Sequence, residues 1–296
     1  MSEQEHQIVS VDINAWVESA RNDPVLYVAR QCTEVVLTAI GLSDSLREIL
    51  ILKGGTLMAL AFQSVRVTGD VDFTSTEEPQ KIADALDTEL NRMLPIAIRK
   101  LNYLDLLCRV QSVTRRPRPQ NFSDHDFPAL LIKVGYARKG SNQEAALDRR
   151  NAANVIEMEV SFKDQVFHFQ ELWLSDARVS VRAFSLSEVI AEKLRALLQQ
   201  VTRDRYRRQD VYDIAFLCEN TVLTEALKAE ILCSFQQKCA SRGIYPGHGS
   251  LNVEEVKARA RDDWDTIKLE VPNLPEFDEQ FAIVETLYQS LPWVAQ

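Results

Sequence analysis

The spacing of apolar residues changes character once along the chain, near residue 185, and this limits the fold more than any other feature. After Ser185 the spacing is helical almost throughout, in segments near 187–201, 207–218, 223–241, 252–265 and 276–290. Gly243, Pro246, Gly247 and Gly249 mark one long connection between them. Before Ser185, helical and alternating stretches are mixed. Residues 26–40, 56–63 and 78–100 read as helices, and Ser43-Asp44-Ser45 can cap a short helix leading into the apolar run ILIL. Strands are expected at VDFTS, Leu106–Val113, Ala129–Tyr136, Val155–Phe162, Val166–Leu174 and Val179–Phe184, with loops at 114–122 and 138–153. The pattern predicts an α+β protein, with an α/β domain over residues 1–185 and a helical C-terminal domain over 186–296.

Several function classes are disfavoured by composition. The formal charge of −9 argues against broad non-specific nucleic-acid binding, although basic clusters stand at Arg115, Arg116 and Arg118 and in the stretch Arg203 to Arg208. Most such clusters are solvated loops. No uninterrupted run of the roughly 18 apolar residues that span a bilayer is present, so no membrane role is expected. The start, MSEQEHQIVS, lacks the basic and apolar regions of a signal peptide. Five scattered cysteines without CxxC spacing, and 4 separated histidines, favour a reducing cytoplasm and neither a disulfide frame nor a histidine-built metal centre.

The chemistry concentrates in Ile51–Ser75, ILKGGTLMALAFQSVRVTGDVDFTS. Gly54-Gly55-Thr56 stands where an apolar segment turns into a helix. Glycines let the backbone approach a ligand, the helix N-terminus offers unpaired N–H groups to phosphate, and Thr56 adds a hydroxyl. Each feature alone is more often an ordinary turn. Asp70 and Asp72, two residues apart, share one face of a strand, where two like charges repel unless a cation sits between them. A glycine–hydroxyl turn, one helix and then alternating aspartates is a layout for a nucleoside triphosphate with Mg²⁺.

This stretch resembles the DNA-polymerase-β-type nucleotidyltransferase superfamily, and within it the AbiEii/AbiGii toxin family, which includes the MenT-like toxins. Lys53, Gly54, Gly55, Thr56, Arg66, Thr68, Asp70, Asp72 and Phe73 all fall on the family's Lys-Gly-Gly-Thr and Arg-x-Ser/Thr-x-Asp-φ-Asp-φ pattern. The resemblance runs to about residue 218; the last 75 or so residues carry no motif of it. It implies a nucleotidyltransferase core with a mixed sheet, nucleotide binding by Lys53, Gly54, Gly55, Thr56 and Arg66, and two Mg²⁺ ions at Asp70 and Asp72.

Further motifs extend the expected site. Glu157 and Glu159 share one face of the strand NVIEMEVSF, opposite Ile156, Met158 and Val160. The family's acidic residue before a β-branched residue and Ser makes Glu159 the expected third metal ligand, with Glu157 in reserve. In SLSEVIAEKLRALLQQ, Lys193 falls within the apolar arc of Leu186, Ile190, Leu194 and Leu197, so it either snorkels out or meets a buried negative charge, while Glu192 points to the solvated side. Asp210 and Asp213 interrupt a helix that is otherwise apolar nearly all round, and buried aspartates need partners, for which the arginines just upstream are available. By resemblance Lys193 contacts nucleotide phosphates and Asp210 is catalytically required; Gln209 stands where the family has Arg or Lys.

The expectation is therefore an NTP- and Mg²⁺-dependent toxin or abortive-infection (phage-defence) effector. Its active site would lie in the cleft between the domains. It would transfer a nucleotidyl group to an acceptor hydroxyl, with RNA, tRNA ends in some members, and a cognate antitoxin implied by resemblance. Transfer to a protein side chain, and a non-catalytic nucleotide-binding regulatory module, are the competing readings.

Overall fold

The computed structural model describes residues 7–117, 122 and 127–293, and it divides the chain into two compact units. The first comprises Met1–Ala61, Thr68–Asp164 and Phe169–Ala183; the second comprises Phe62–Val67, Gln165–His168 and Phe184–Gln296.

The first unit runs β1 (Ile8–Val11), α1 (Ile13–Glu18), α2 (Pro24–Leu42), α3 (Asp44–Ile49), β2 (Leu50–Lys53), α4 (Gly54–Ala61), β3 (Asp70–Ser75), α5 (Pro79–Lys100), β4 (Leu106–Arg116), β5 (Ala129–Arg138), α6 (Glu144–Asp148), β6 (Val155–Phe162), β7 (Phe169–Leu174) and β8 (Val179–Phe184). The strands make one mixed sheet in the order β1-β7-β8-β2-β3-β6-β5-β4. At its centre β3 runs antiparallel to β2 and parallel to β6. Alternation along β6 buries Ile156, Met158 and Val160 on one face and leaves Glu157 and Glu159 half-buried on the other.

Asp23 caps α2, accepting from the Val25 and Leu26 N–H groups. This helix is long and apolar enough to cross a membrane, but Gln31–Gly41 are buried within the protein and it packs on α5. Buried Glu34 accepts from the Tyr103 hydroxyl at 2.5 Å. The five cysteines are free thiols, with Cys32 and Cys108 Sγ 3.6 Å apart.

In the second unit α7 (Leu186–Gln199) packs on α8 (Arg208–Asn220) and α9 (Glu225–Ala240). Helix α10 (Glu254–Arg261) and a 3₁₀ turn, Trp264–Leu269, lead to α11 (Phe277–Ser290), which packs on α8. Ser185 caps α7 through the Glu188 N–H, and Ile190, Leu194, Leu197, Ile214, Phe235, Phe281 and Tyr288 are fully buried.

Some sequence expectations need correction. Strand β4 continues through Arg116, where pairing with Ala129 overrides the loop signal, while Arg118 lies outside the described residues. The segment 138–153 holds α6. Strand β7 starts at Phe169 because the Phe167 and His168 N–H groups donate to Glu188 Oε2 instead of a ladder. The helix expected at 252–265 breaks at Asp263, whose φ of 58° is left-handed. Glu192 is not solvated: its carboxylate binds Arg195 and lies 3.5 Å from Lys238 Nζ. Strand β1 and helix α1 were not anticipated, since four residues of strand in a polar leader give too short a pattern to read.

Candidate active site

Two constellations hold the residues singled out from the sequence, one in each unit. In the first, β2 ends at Lys53 and α4 begins at Gly54, whose φ is +70°. A Cβ there would lie 2.0 Å from Asp72 Oδ2, so the turn passes over the Asp72 carboxylate at a distance only glycine allows. Thr56 is buried and its hydroxyl donates to the Asp70 carbonyl at 2.7 Å, tying the start of α4 to the start of β3. That proton is committed to the backbone. Lys53 Nζ is likewise engaged, with Ser161 Oγ at 2.7 Å and Asp164 Oδ2 at 2.8 Å.

Parallel pairing sets Asp70 beside Glu157 and Asp72 beside Glu159, so four carboxylates occupy one face of two neighbouring strands. Burial and the charge of Glu157 push the Asp70 carboxyl above its usual range. Lys133 Nζ forms an ion pair with Glu157 at 2.9 Å, and the register sets Glu159 beside Asp72. These are hard oxygen donors in excess of their countercharge, the chemistry that suits Mg²⁺. Among the described residues no three such ligands converge tightly enough to hold an ion alone. Mg²⁺ is usually held by one or two carboxylates plus substrate phosphates and water, so the donor set fits.

The second constellation is centred on Lys193. Its Nζ lies 2.8 Å from both Asp210 Oδ1 and Asp213 Oδ2, so the lysine inside the apolar arc meets buried negative charge. Burial alone would lower its pKa, but the two aspartates outweigh that and hold it raised. Asp213 is fully buried. Burial would raise its pKa, yet Lys193 and Arg66 hold it lowered. Asp210 Oδ2 is buried without a hydrogen-bond partner among the described residues, and Arg207 Nη1 forms an ion pair with it at 3.7 Å.

The chain matches the family described as nucleotidyl transferase AbiEii toxin, type IV toxin–antitoxin system, over residues 36–283. It belongs to the AbiEii family. It is thus a nucleotidyltransferase, in a family whose type IV systems imply an antitoxin partner and an NTP substrate. Among solved structures it is similar to MenT4, a nucleotidyltransferase toxin from Mycobacterium tuberculosis H37Rv, at 15% identity and a TM-score of 0.54, covering 93% of this chain and 87% of that one. This likeness shows the shared α+β fold. JHP933 from Helicobacter pylori aligns at 14% identity and a TM-score of 0.49, covering 91% of this chain and 92% of that one. No curated protein matches the chain.

In this AbiEii chain Arg66 is the residue whose surroundings the sequence left open. Its Nε and Nη2 each donate to an oxygen of Asp213 at 3.0 Å, and Nη1 donates to Glu270 at 2.8 Å. So Asp213 finds Arg66, far upstream, instead of the neighbouring arginines. Glu270 was missed altogether, because a glutamate after an irregular turn carries no periodicity. The arginines near 203–208 draw together: burial and then Arg195, Arg207, Arg205 and Arg242 lower the pKa of Arg203.

Proposed function

We propose that this toxin transfers a nucleotidyl group from an NTP, with Mg²⁺, to a hydroxyl of cellular RNA, a tRNA end being the acceptor the resemblance favours. The observation that carries the reading is the apposition of the Gly54 turn to Asp72, on the same face as Asp70 and Glu159. Asp70, Asp72 and Glu159 would hold the metal, which when bound supplies charge neutralisation for the triphosphate and activation of the acceptor hydroxyl. The chain's own groups do the rest. The Gly54-Gly55 backbone admits the phosphates and offers N–H groups at the start of α4. Lys53 and Thr56 keep that turn in place through Ser161, Asp164 and Asp70.

In the second unit, Lys193 is assigned charge on the departing pyrophosphate, and Asp210, with one buried oxygen that accepts no hydrogen bond among the described residues, the orientation of the acceptor. The gathering of Arg195, Arg207, Arg205 and Arg242 around Arg203 supports phosphate contacts there. The setting is the cytoplasm, and the role that of a phage-defence effector.

The test is incubation of the protein with Mg²⁺, each α-³²P-labelled NTP in turn and total cellular RNA, beside Asp70→Ala. An RNA band labelled with one NTP and absent in the variant supports the reading. Label on protein, or none, refutes it. Charge reversal of both basic clusters, Arg115, Arg116 and Arg118 and the arginines of 203–208, without effect on RNA labelling would remove the RNA-contact assignment.

A further inference from the structure

The segment Phe62–Val67 stands in sequence between the glycine turn and the aspartate strand, yet it packs as part of the second unit. Two of its anchors are on one residue. The Val67 N–H donates to the Glu270 carbonyl at 2.9 Å, and Arg66 Nη1 donates to Glu270 Oε2 at 2.8 Å. The other edge of the same guanidinium takes both oxygens of Asp213, and Asp213 Oδ2 accepts from Lys193 Nζ at 2.8 Å. Gln209 Nε2 adds a bond to Glu270 Oε1 at 3.1 Å. A continuous line of charge-assisted bonds thus runs Glu270–Arg66–Asp213–Lys193–Asp210. It begins in the C-terminal stretch for which the sequence offered no role.

We infer that Glu270 is a positioning residue for nucleotidyl transfer, fixing Lys193 through Arg66 and Asp213. The inference rests on the proposal that Lys193 acts on the triphosphate. A guanidinium is a planar fork whose two edges are read separately. With Asp213 on one edge and Glu270 on the other, it has one orientation and Asp213 is held still. Without the Glu270 charge, Nη1 and the Gln209 amide compete for one neutral acceptor oxygen, so the fork is held less firmly and the carboxylate shared by Arg66 and Lys193 loses part of its fixed direction. The Glu270 side chain is 29% exposed, so an isosteric amide fits the same space. Gln209, where the resemblance expects a cation, fits the same arrangement: its amide donates to Glu270 without competing with Arg66 for charge.

The experiment uses Glu270→Gln in the full chain, with three readouts. Acylation of Lys193 by acetic anhydride is expected to accelerate about tenfold. Hydrogen exchange at the Val67 amide, whose own bond to the Glu270 carbonyl is kept, should accelerate similarly, because the neighbouring Arg66 anchor of the segment is weakened by one charge-assisted bond. In the labelled-NTP assay kcat should fall about tenfold with KM for NTP within about twofold, because the lysine serves the departing group and not initial binding. Unchanged exchange and unchanged Lys193 reactivity overturn the inference whether or not transfer is detected. Faster exchange with wild-type kcat reduces Glu270 to a structural anchor and also overturns it. A raised KM with unchanged kcat places Arg66 on the nucleotide instead. If the wild type labels no acceptor while Glu270→Gln shifts exchange and acylation as expected, the functional proposal fails and the line of bonds stands.

Discussion

The α-carbon of Gly54 faces the Asp72 carboxylate so closely that a methyl group on it would stand 2.0 Å from Oδ2 and 2.8 Å from Cγ. The φ of +70° adds a second reason for glycine. Gly54→Ala therefore displaces Asp72 and strains the turn at once. Transfer activity should fall by about 100-fold or more, as for loss of one preorganised electrostatic group, and stability by about 1–3 kcal/mol. A urea melt and the labelled-NTP assay check this; wild-type activity in Gly54→Ala would remove the turn from the site.

Asp70 gives the opposite stability prediction. Burial and Glu157 raise its folded-state pKa, so its ionised form lowers stability at pH above that value, and the cost fades as pH falls to the ordinary carboxylate range. Asp70→Asn should thus raise Tm at neutral pH while cutting transfer by about 100-fold or more. Added Mg²⁺ should raise the Tm of the wild type more than that of the variant. A lower Tm for Asp70→Asn, with equal metal response, would exclude Asp70 as a ligand.

Much of this was legible in the residues themselves. The period change near Ser185 marks where the last strand, β8, gives way to the helices from α7 onward, because burial on one face or both writes itself into spacing. The pairing of Asp72 with Glu159 was foreseeable only as two DxD-like faces; their register depends on which strands meet, and no local pattern encodes that. Lys193 betrayed its partners by sitting in an apolar arc. Arg66 and Glu270 did not, since one lies in a polar connection and the other after an irregular turn, 204 positions apart. Thr56 shows a subtler limit: its hydroxyl is where the motif places it, but its proton goes to the Asp70 carbonyl.

Glu34 supplies a pH signature outside the site. Burial pushes its pKa from 4.5 up to about 7, the Tyr103 hydroxyl partly opposing this and the charges of Asp176 and Asp12 adding to it. The protonated acid is the form that folding favours. Stability contributed this way is present below pH 4.5, is lost as pH rises to about 7, and amounts to about 3 kcal/mol at most. Glu34→Gln should flatten that loss: urea midpoints measured at pH 5 and pH 8 should differ less than in the wild type. An unchanged difference between the two midpoints would mean that Glu34 ionises normally in the folded protein.

Asp210 and Asp213, three residues apart on α8 and both within 2.8 Å of Lys193, should separate chemistry from stability. Asp213 is fully buried and holds two cations, so Asp213→Asn leaves Arg66 and Lys193 short of charge and should cost about 3–5 kcal/mol. Its lowered pKa means this stability is present above the ordinary carboxylate value of 3.8 and is lost as pH falls through the folded value, so the variant should also lose part of the wild type's acid transition. Asp210 keeps one oxygen on Lys193 and the other without a hydrogen bond among the described residues, with Arg207 Nη1 3.7 Å away, so Asp210→Asn removes less and should cost about 1–2 kcal/mol. Its transfer activity should nevertheless fall by about 100-fold or more. Urea melts and labelled-NTP transfer on the same two preparations decide the matter. A larger stability loss for Asp210→Asn, with activity retained, would exchange the two roles.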